Sequence, residues 1–415
     1  MKKILIPGGK LSDLALINSA HRMGMYVISS GTDWKAPAHQ FADEYICADY
    51  SDKEAMLRLA KEKQIDYMCS CANDFGMIST AYVCEQLGLP GHDSYETTRI
   101  LHTKNRFKKV CEEIGVHAPV SRFFTDRDEA IAYIRSMDKP VIVKPVDNVA
   151  SKGVYSPKST DEIAVSVDGA LSKSKIGMIL AEPFLEGYNA TATSMIIDQT
   201  VVAFFANSYC YFPQGEVIGP EFPVNERCNG NCEPALHFED FAPRVIEDLN
   251  KIARYLHLVD GKFHCEVMIA PDRSAQIYDV HRRMSGEPKP WHEWNRSTGL
   301  CWEDWIVKAE CGMDLSDFPK GIKQNRFFLT RKIYAPKSGI IKKASLDEYL
   351  TAHLYPPFPG KKYELWNFYI NDHFHEPIDR FTDEFKFEFD NREEMERLAD
   401  PTTDNFYSHV SFEYA

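Results

Sequence analysis

The sequence predicts a mixed α/β and α+β chain that opens on a parallel sheet and ends in a β-rich segment. Three observations carry this expectation. Over the first hundred residues short apolar runs alternate with amphipathic stretches, the pattern of an open parallel sheet with crossover helices. Further on, apolar strands ending in charged residues lead into a hairpin at Phe263 to Gly286. Last, the chain beyond Leu350 carries Tyr, Trp and Phe at near-alternating spacing, which reads as folded β structure.

Taken in order, Ile4 to Ile6 reads as a strand and Leu14 to Met23 as a helix; Tyr26 to Ser29 and Tyr45 to Cys47 read as strands, Lys53 to Lys63 as a helix and Tyr67 to Ser70 as a strand. The turn Gly8-Gly9-Lys10-Leu11-Ser12-Asp13 lacks the third glycine of a dinucleotide fingerprint, which argues against a nicotinamide enzyme. It is either a tight strand-to-helix turn or an anion contact at a helix N-terminus. Thr103 to Gly115 reads as a basic helix closed by glycine. Pro140 to Lys144 is a strand with a lysine at its end, followed by the small-residue turn Asp147 to Tyr155, where an ammonium and backbone amides can converge on a phosphate. Met178 to Glu182 enters a hinge at Pro183 to Gly187, and Ala190 to Ile197 is the next strand. In the hairpin, Glu266, Asp279 and His281 fall on one strand face, because side chains two apart point the same way. Two carboxylates and a third ligand on one face suit a divalent cation holding nucleotide phosphates.

With 415 residues the chain is long enough for two to four domains. Its formal charge of −13 argues against a dedicated nucleic-acid binder, which needs a basic face. No apolar stretch reaches membrane-spanning length, and MKKILIPGGK is too short an apolar run for a signal-peptide core. Eleven mostly scattered cysteines suggest a reducing, cytoplasmic setting with buried thiols. Cys228-Asn-Gly-Asn-Cys232 has no second Cys or His pair at zinc-site spacing, so a metal or bridge there is disfavoured, and Gly215 to Asn231 reads as a loop near the site.

In this order the pieces resemble the ATP-grasp superfamily, specifically its carboxylate–amine ligases with a biotin-carboxylase-like or carbamoyl-phosphate-synthase-like layout. The resemblance implies a Rossmann-like preATP-grasp domain over 1–100, a two-subdomain ATP-grasp clamp over 101–330 with its lid near 118–182, and a small β-rich cap over 331–415 opening at Ala335-Pro336-Lys337-Ser338-Gly339. It further implies ATP with Mg²⁺ as cofactors. Lys104 and Lys144 match the phosphate lysines, Ser151, Lys152, Gly153 and Val154 the loop over the phosphates, and Glu182, Pro183 and Leu185 the hinge that meets adenine. Asn189 stands where many members hold ribose with glutamate. Glu266 and Asp279 match metal ligands. His281 replaces the family's asparagine, which puts a nitrogen in place of an oxygen and favours tolerance of Mn²⁺. Arg283 matches the arginine that stabilises the transferring phosphoryl group, with Ser285 and Gly286 completing the pocket.

The implied activity is ADP-forming ligation of a carboxylate to an amine through an acyl phosphate, with Arg283 and Lys144 as the catalytic side chains. A bicarbonate-activating, carboxylase-like enzyme is one alternative; a nucleotide-binding regulatory relative, motivated by Asn189 and His281, is the other. Trp291 or Trp294 could stack on the substrate while Arg296 pairs its carboxylate; equally, both tryptophans could be packing residues. The expected partners are small-molecule carboxylate and amine, with neither nucleic acid nor membrane, and the resemblance implies a homodimer. His353, His373 and His375 read as surface histidines.

Overall fold

The parallel sheet expected at the start forms from β1 (Lys3–Pro7), β2 (Tyr26–Gly31), β3 (Glu44–Cys47) and β4 (Tyr67–Met68), in the order β3-β2-β1-β4. The computed structural model describes residues 1–148, 152–211, 228–284, 290–334, 341–355, 381–400 and 405–414. Ile4, Leu5 and Ile6 are fully buried because helices cover both sheet faces. These are α1 (Leu11–Arg22), α2 (Lys53–Lys63) and α3 (Asp74–Leu87), with α4 (Tyr95–His102) following. The glycine turn after β1 resolves in favour of structure. The buried Asp13 carboxylate accepts from the amides of Lys10 (2.9 Å) and Ala72 (3.1 Å), using donors an anion would need. A Cβ on Gly8, which has φ +116°, would lie 2.4 Å from that carboxylate.

A smaller antiparallel sheet follows, β5 (Arg122–Phe124), β6 (Val141–Pro145) and β7 (Ile179–Pro183), ordered β5-β7-β6. It has its own core, where α6 (Arg127–Ser136) and α7 (Thr160–Lys173) place Ile131, Ile134, Ile163 and Val167 against Val143 and Ile179. Ahead of it, α5 (Lys104–Ile114) ends on Gly115 in the left-handed conformation.

The largest sheet runs β12-β11-β8-β9-β10-β13-β15 among the described residues. Its strands are β8 (Tyr188–Ile197), β9 (Thr200–Tyr211), β10 (Cys228–Glu233), β11 (Gly261–Ile269), β12 (Ala275–His281), β13 (Phe327–Tyr334) and β15 (Phe381–Phe389). The helix α8 (Phe238–Tyr255) packs Phe241, Val245, Leu249 and Ile252 on it at helical spacing. Two expectations change here. Residues 228–231, read as loop, are in β10, and Cys232 is a buried strand residue whose thiol lies 3.1 Å from the Ser208 hydroxyl; residues 212–227 lie outside the described residues. Further along, β15 from the C-terminal segment pairs with β13 and so extends the large sheet, while β14 (Ile341–Leu346) and β16 (Val410–Tyr414) pair separately. The stretch 335–339 and the aromatic run at Tyr363 to Tyr369, with His373 and His375, lie outside the described residues. His353 is half-buried and stacks on Phe389.

Buried ion pairs join the parallel sheet to the large one. Glu310, the last residue of α10 (Trp302–Glu310), pairs with Lys262 of β11 and accepts from the Ser70 amide (2.6 Å) and hydroxyl (2.9 Å). Arg282 donates to Asp93 (2.6 Å) and to the carbonyls of Lys262 and Val259. Removing one partner strands a buried charge, so Glu310→Ala is expected to lower stability by about 3–5 kcal/mol. Urea unfolding of the variant against wild type measures this, and a loss below about 1 kcal/mol contradicts the account.

Candidate active site

Two buried clusters of charge face one another where the small sheet meets the large one. The first is built on α5, β6 and β7. Lys144 near the end of β6 donates to Glu182 Oε1 at 2.5 Å, and Ser121 donates to Oε2 at 2.9 Å. Antiparallel pairing of β6 with β7 brings these residues to neighbouring positions. Lys104 and Lys108, one helical turn apart, lie on the same face of α5. Lys108 Nζ approaches Glu182 Oε2 only to 3.9 Å and has no hydrogen-bond partner among the described residues. Burial pulls the Lys108 ammonium down to about 8, although Glu182 works the other way. For Glu182, burial opposes the charge, but Lys144 and Lys108 overcome it and hold the carboxyl below its usual range.

The second cluster is built on the β11/β12 hairpin. Glu266 stands directly opposite Asp279, and His264 opposite His281. Lys104 Nζ lies 2.8 Å from Asp279 Oδ2 and donates to the Asn148 carbonyl at 3.3 Å. Burial opposes ionisation of Asp279; Lys104 and His281 outweigh it and hold the carboxyl well below the usual carboxylate range. Just past β12, Arg283 grips Asp74 with two prongs, Nε to Oδ1 at 2.7 Å and Nη2 to Oδ2 at 3.1 Å. Its Nη1 donates to the Met284 carbonyl at 2.9 Å. His281 Nδ1 lies 2.8 Å from the same Asp74 oxygen, and its Nε2 lies 3.8 Å from Asp279. Thus the expected residues Lys104, Asp279, His281 and Arg283 meet through contacts, with Glu266 beside Asp279, and Lys144 joins Glu182.

The other expected residues are distributed as follows. Lys152 is exposed, Gly153 buried and Val154 half-buried in the turn after β6; Ser151 lies outside the described residues, as do Ser285 and Gly286. Pro183 and Leu185 are half-buried at the hinge. Asn189 is buried on β8, its Oδ1 unpartnered among the described residues. The backbone of Trp291 lies in α9 (Pro290–Thr298), but its side chain is outside what is described. Trp294 is a core residue, stacked on Phe205 at 5.4 Å, as the packing alternative requires. Arg296 donates to Glu388 of β15 at 2.8 Å.

Asp74, His102, Lys108 and His264 escape the sequence reading. Asp74 had a usable signal: Asn73-Asp74 opens a helix just beyond a parallel strand, the edge where α/β sheets place ligand groups. The Asn73 side chain caps that helix by accepting from the Phe75 amide at 3.0 Å, leaving Asp74 free to turn toward Arg283.

Residues 102–210 match the family model described as phosphoribosylglycinamide synthetase, ATP-grasp (A) domain. The fold also aligns along its whole length with solved ligase structures. Against phosphoribosylglycinamide synthetase from Anaerococcus prevotii the TM-score is 0.68, with 18% identity and 100% of both chains covered. Against L-amino acid ligase from Bacillus licheniformis it is 0.71, with 18% identity over 100% of this chain and 99% of the other. Residues 102–210 are thus similar to an ATP-grasp domain, and the fold is the one these ligase structures share. Among curated relatives, the formate-dependent phosphoribosylglycinamide formyltransferase of Rhodococcus jostii is 24% identical over 186 residues, 44% of this chain and 46% of that protein. N5-carboxyaminoimidazole ribonucleotide synthase of Staphylococcus saprophyticus is 24% identical over 287 residues, 66% of this chain and 68% of that one. The chain thus spans about half the length of most of the first curated relatives it matches.

The depressed Lys108 sets a pH dependence. Its ammonium is disfavoured in the folded state, so the unfolded chain binds more protons between about pH 8 and 10.5, and stability from this group rises with pH across that window. Lys108→Met is therefore expected to raise the urea midpoint at pH 7, with the gain shrinking as pH climbs from about 8 to 10.5. A gain that stays constant over that range contradicts the assignment.

Proposed function

We propose that this chain is an ADP-forming ligase that activates a carboxylate with ATP and joins it to an amine. The observation that carries this reading is the direct opposition of Glu266 and Asp279 across β11 and β12, with Lys104 on Asp279. Two carboxylates on one sheet face are a hard-oxygen donor set that fits Mg²⁺, and Lys104 and Lys144 place ammonium groups beside it for the phosphates. When bound, the metal ion neutralises phosphate charge. Glu266 and Asp279 would hold it, with His281 next to them.

The protein's own task is positioning and charge compensation. Lys104 and Lys144 would exchange their acid partners for phosphate oxygens. The turn carrying Ser151, Lys152, Gly153 and Val154 would cover those oxygens, and Glu182, Pro183, Leu185 and Asn189 would hold the nucleoside. A carboxylate oxygen of the substrate then attacks the γ-phosphorus in line, and the bond to the β–γ bridging oxygen breaks, releasing ADP. Attack of the amine nitrogen on the acyl carbon gives a tetrahedral intermediate, from which phosphate leaves as the nitrogen loses a proton. Arg283, positioned by Asp74, would stabilise the transferring phosphoryl group and the oxyanion, with Ser285 and Gly286 beside it. Trp291 and Arg296 lie on the helix that follows and would border the acceptor. Among the described residues no helix is long and apolar enough to cross a membrane.

Release of ADP against a panel of carboxylate and amine pairs tests the reading, with bicarbonate alone as a separate arm. Turnover that needs both an organic carboxylate and an amine is expected; bicarbonate-dependent turnover without an organic acid points to the carboxylase alternative, and ATP binding with no ADP from any pair points to a regulatory protein. Arg283→Ala, checked for folding by circular dichroism, should lose about 10²–10³ in kcat. Wild-type turnover in that variant would remove Arg283 from the mechanism.

A further inference from the structure

Beside the paired carboxylates lies a second group of donors to which the proposed chemistry assigns no ligand of its own. Asp74 from the start of α3, His102 from the end of α4 and His281 from the end of β12 bring one ligand atom each within 4.8 Å of one another, and all three side chains are buried. Among the described residues Nδ1 of His102 has no hydrogen-bond partner, and Nδ1 of His281 lies 2.8 Å from Asp74 Oδ1. Leaving a buried polar atom unsatisfied costs about 1–3 kcal/mol, so the buried His102 Nδ1 beside the His281–Asp74 pair calls for a ligand. We propose that Asp74, His102 and His281 form a site for one divalent transition-metal ion, separate from any cation that accompanies nucleotide at Glu266 and Asp279.

The surroundings are those of a metal site. Carboxylate ligands are commonly hydrogen-bonded from outside, and Arg283 holds both oxygens of Asp74. A carboxylate offers about four lone-pair positions, so two remain for an ion and its neighbour. A metal-bound imidazole usually directs its other N–H at a carboxylate; His281, ligating through Nδ1, has Nε2 on the side of Asp279, 3.8 Å away. The ring of His102 is set by an edge contact with Phe75, centroids 6.1 Å apart. Two imidazoles with one carboxylate select Zn²⁺, Mn²⁺, Fe²⁺ or Co²⁺ over Mg²⁺ and Ca²⁺, and three protein ligands leave a position open. The ligands come from the parallel-sheet domain, its last helix and the large sheet, so the ion would tie these bodies together next to Arg283.

Cobalt titration of chelator-treated full-length protein, without nucleotide, tests this. One equivalent of Co²⁺ is expected to bind and give visible d–d absorption. His102→Gln should weaken binding by more than about 100-fold, the upper range seen when even outer partners are removed. His102→Cys should restore binding with a thiolate-to-cobalt charge-transfer band, which a merely structural role would not produce. Circular dichroism verifies that each variant is folded. X-ray absorption on the loaded wild type, which needs no variant, should read two imidazole ligands. Absence of stoichiometric uptake, unchanged affinity in folded His102→Gln, or an oxygen-only shell overturns the site. Because nucleotide is absent, that failure leaves the ligase reading intact, and failure of the ADP assay leaves the metal site intact.

Discussion

Pairing of buried opposite charges is the constraint that organises the middle of the molecule. Five such pairs lie along the ends of β6, β7, β11 and β12 and the helices facing them: Lys144 with Glu182, Lys104 with Asp279, Arg283 with Asp74, Arg282 with Asp93, and Lys262 with Glu310. Desolvating an isolated ion costs several kcal/mol, so each pair fixes the separation of two elements far more tightly than apolar contact does. The consecutive residues Arg282 and Arg283 anchor two different stretches of the N-terminal domain, at Asp93 and Asp74. One short segment after β12 therefore sets how the parallel sheet sits against the large one.

The same pairing explains how a site for a polyanion can exist in a chain of formal charge −13. Without ligand, the lysines that would meet phosphate are neutralised by the acids that would meet a metal ion or stabilise the hinge. Under the proposed reading, exchange of partners, phosphate for Asp279 on Lys104 and metal for Lys104 on Asp279, would leave both buried charges paired. Lys108 is the exception: its ammonium stands off from Glu182, whose nearer oxygen contacts belong to Lys144 and Ser121. Burial displaces the pKa of Lys108 downward, Glu182 offsets part of that, and the neighbouring Lys144 ammonium adds to it.

Most of the fold's elements were legible because their signals are local. Alternating apolar runs marked β1 and β2, helical spacing marked α2, and the i, i+2 rule placed Asp279 and His281 on one face. The two principal surprises both come from contacts distant in sequence. Asp74 and Arg283 are 209 residues apart, and nothing near Asp74 announces its partner. Polar, glycine-bearing Cys228-Asn-Gly-Asn-Cys232 reads as loop, yet β9 and β13 hold it in the sheet. Gly230 is there because β13 passes so close that a Cβ would lie 1.9 Å from the Thr330 carbonyl oxygen. A glycine required by sheet packing and a glycine required by a turn look identical in one sequence.

The distribution of the site over separately packed bodies carries a mechanical consequence. Lys144 and Glu182 belong to the small sheet, which has a core of its own, whereas Lys104, Glu266, Asp279 and Arg283 are fixed to the large sheet or to α5. The chain crosses between the bodies twice, at 115–121 and at Phe184 to Gly187, and Gly187, at φ +136°, presses so closely on Ile269 of β11 that a side chain has no room. Rotation about this joint would carry the Lys144–Glu182 pair intact while changing its distance from Lys104 and the hairpin acids. Lys108 of α5, turned toward Glu182, is a charged group whose partner distance would change with that rotation, as is Lys175, which lies over the Phe75 ring.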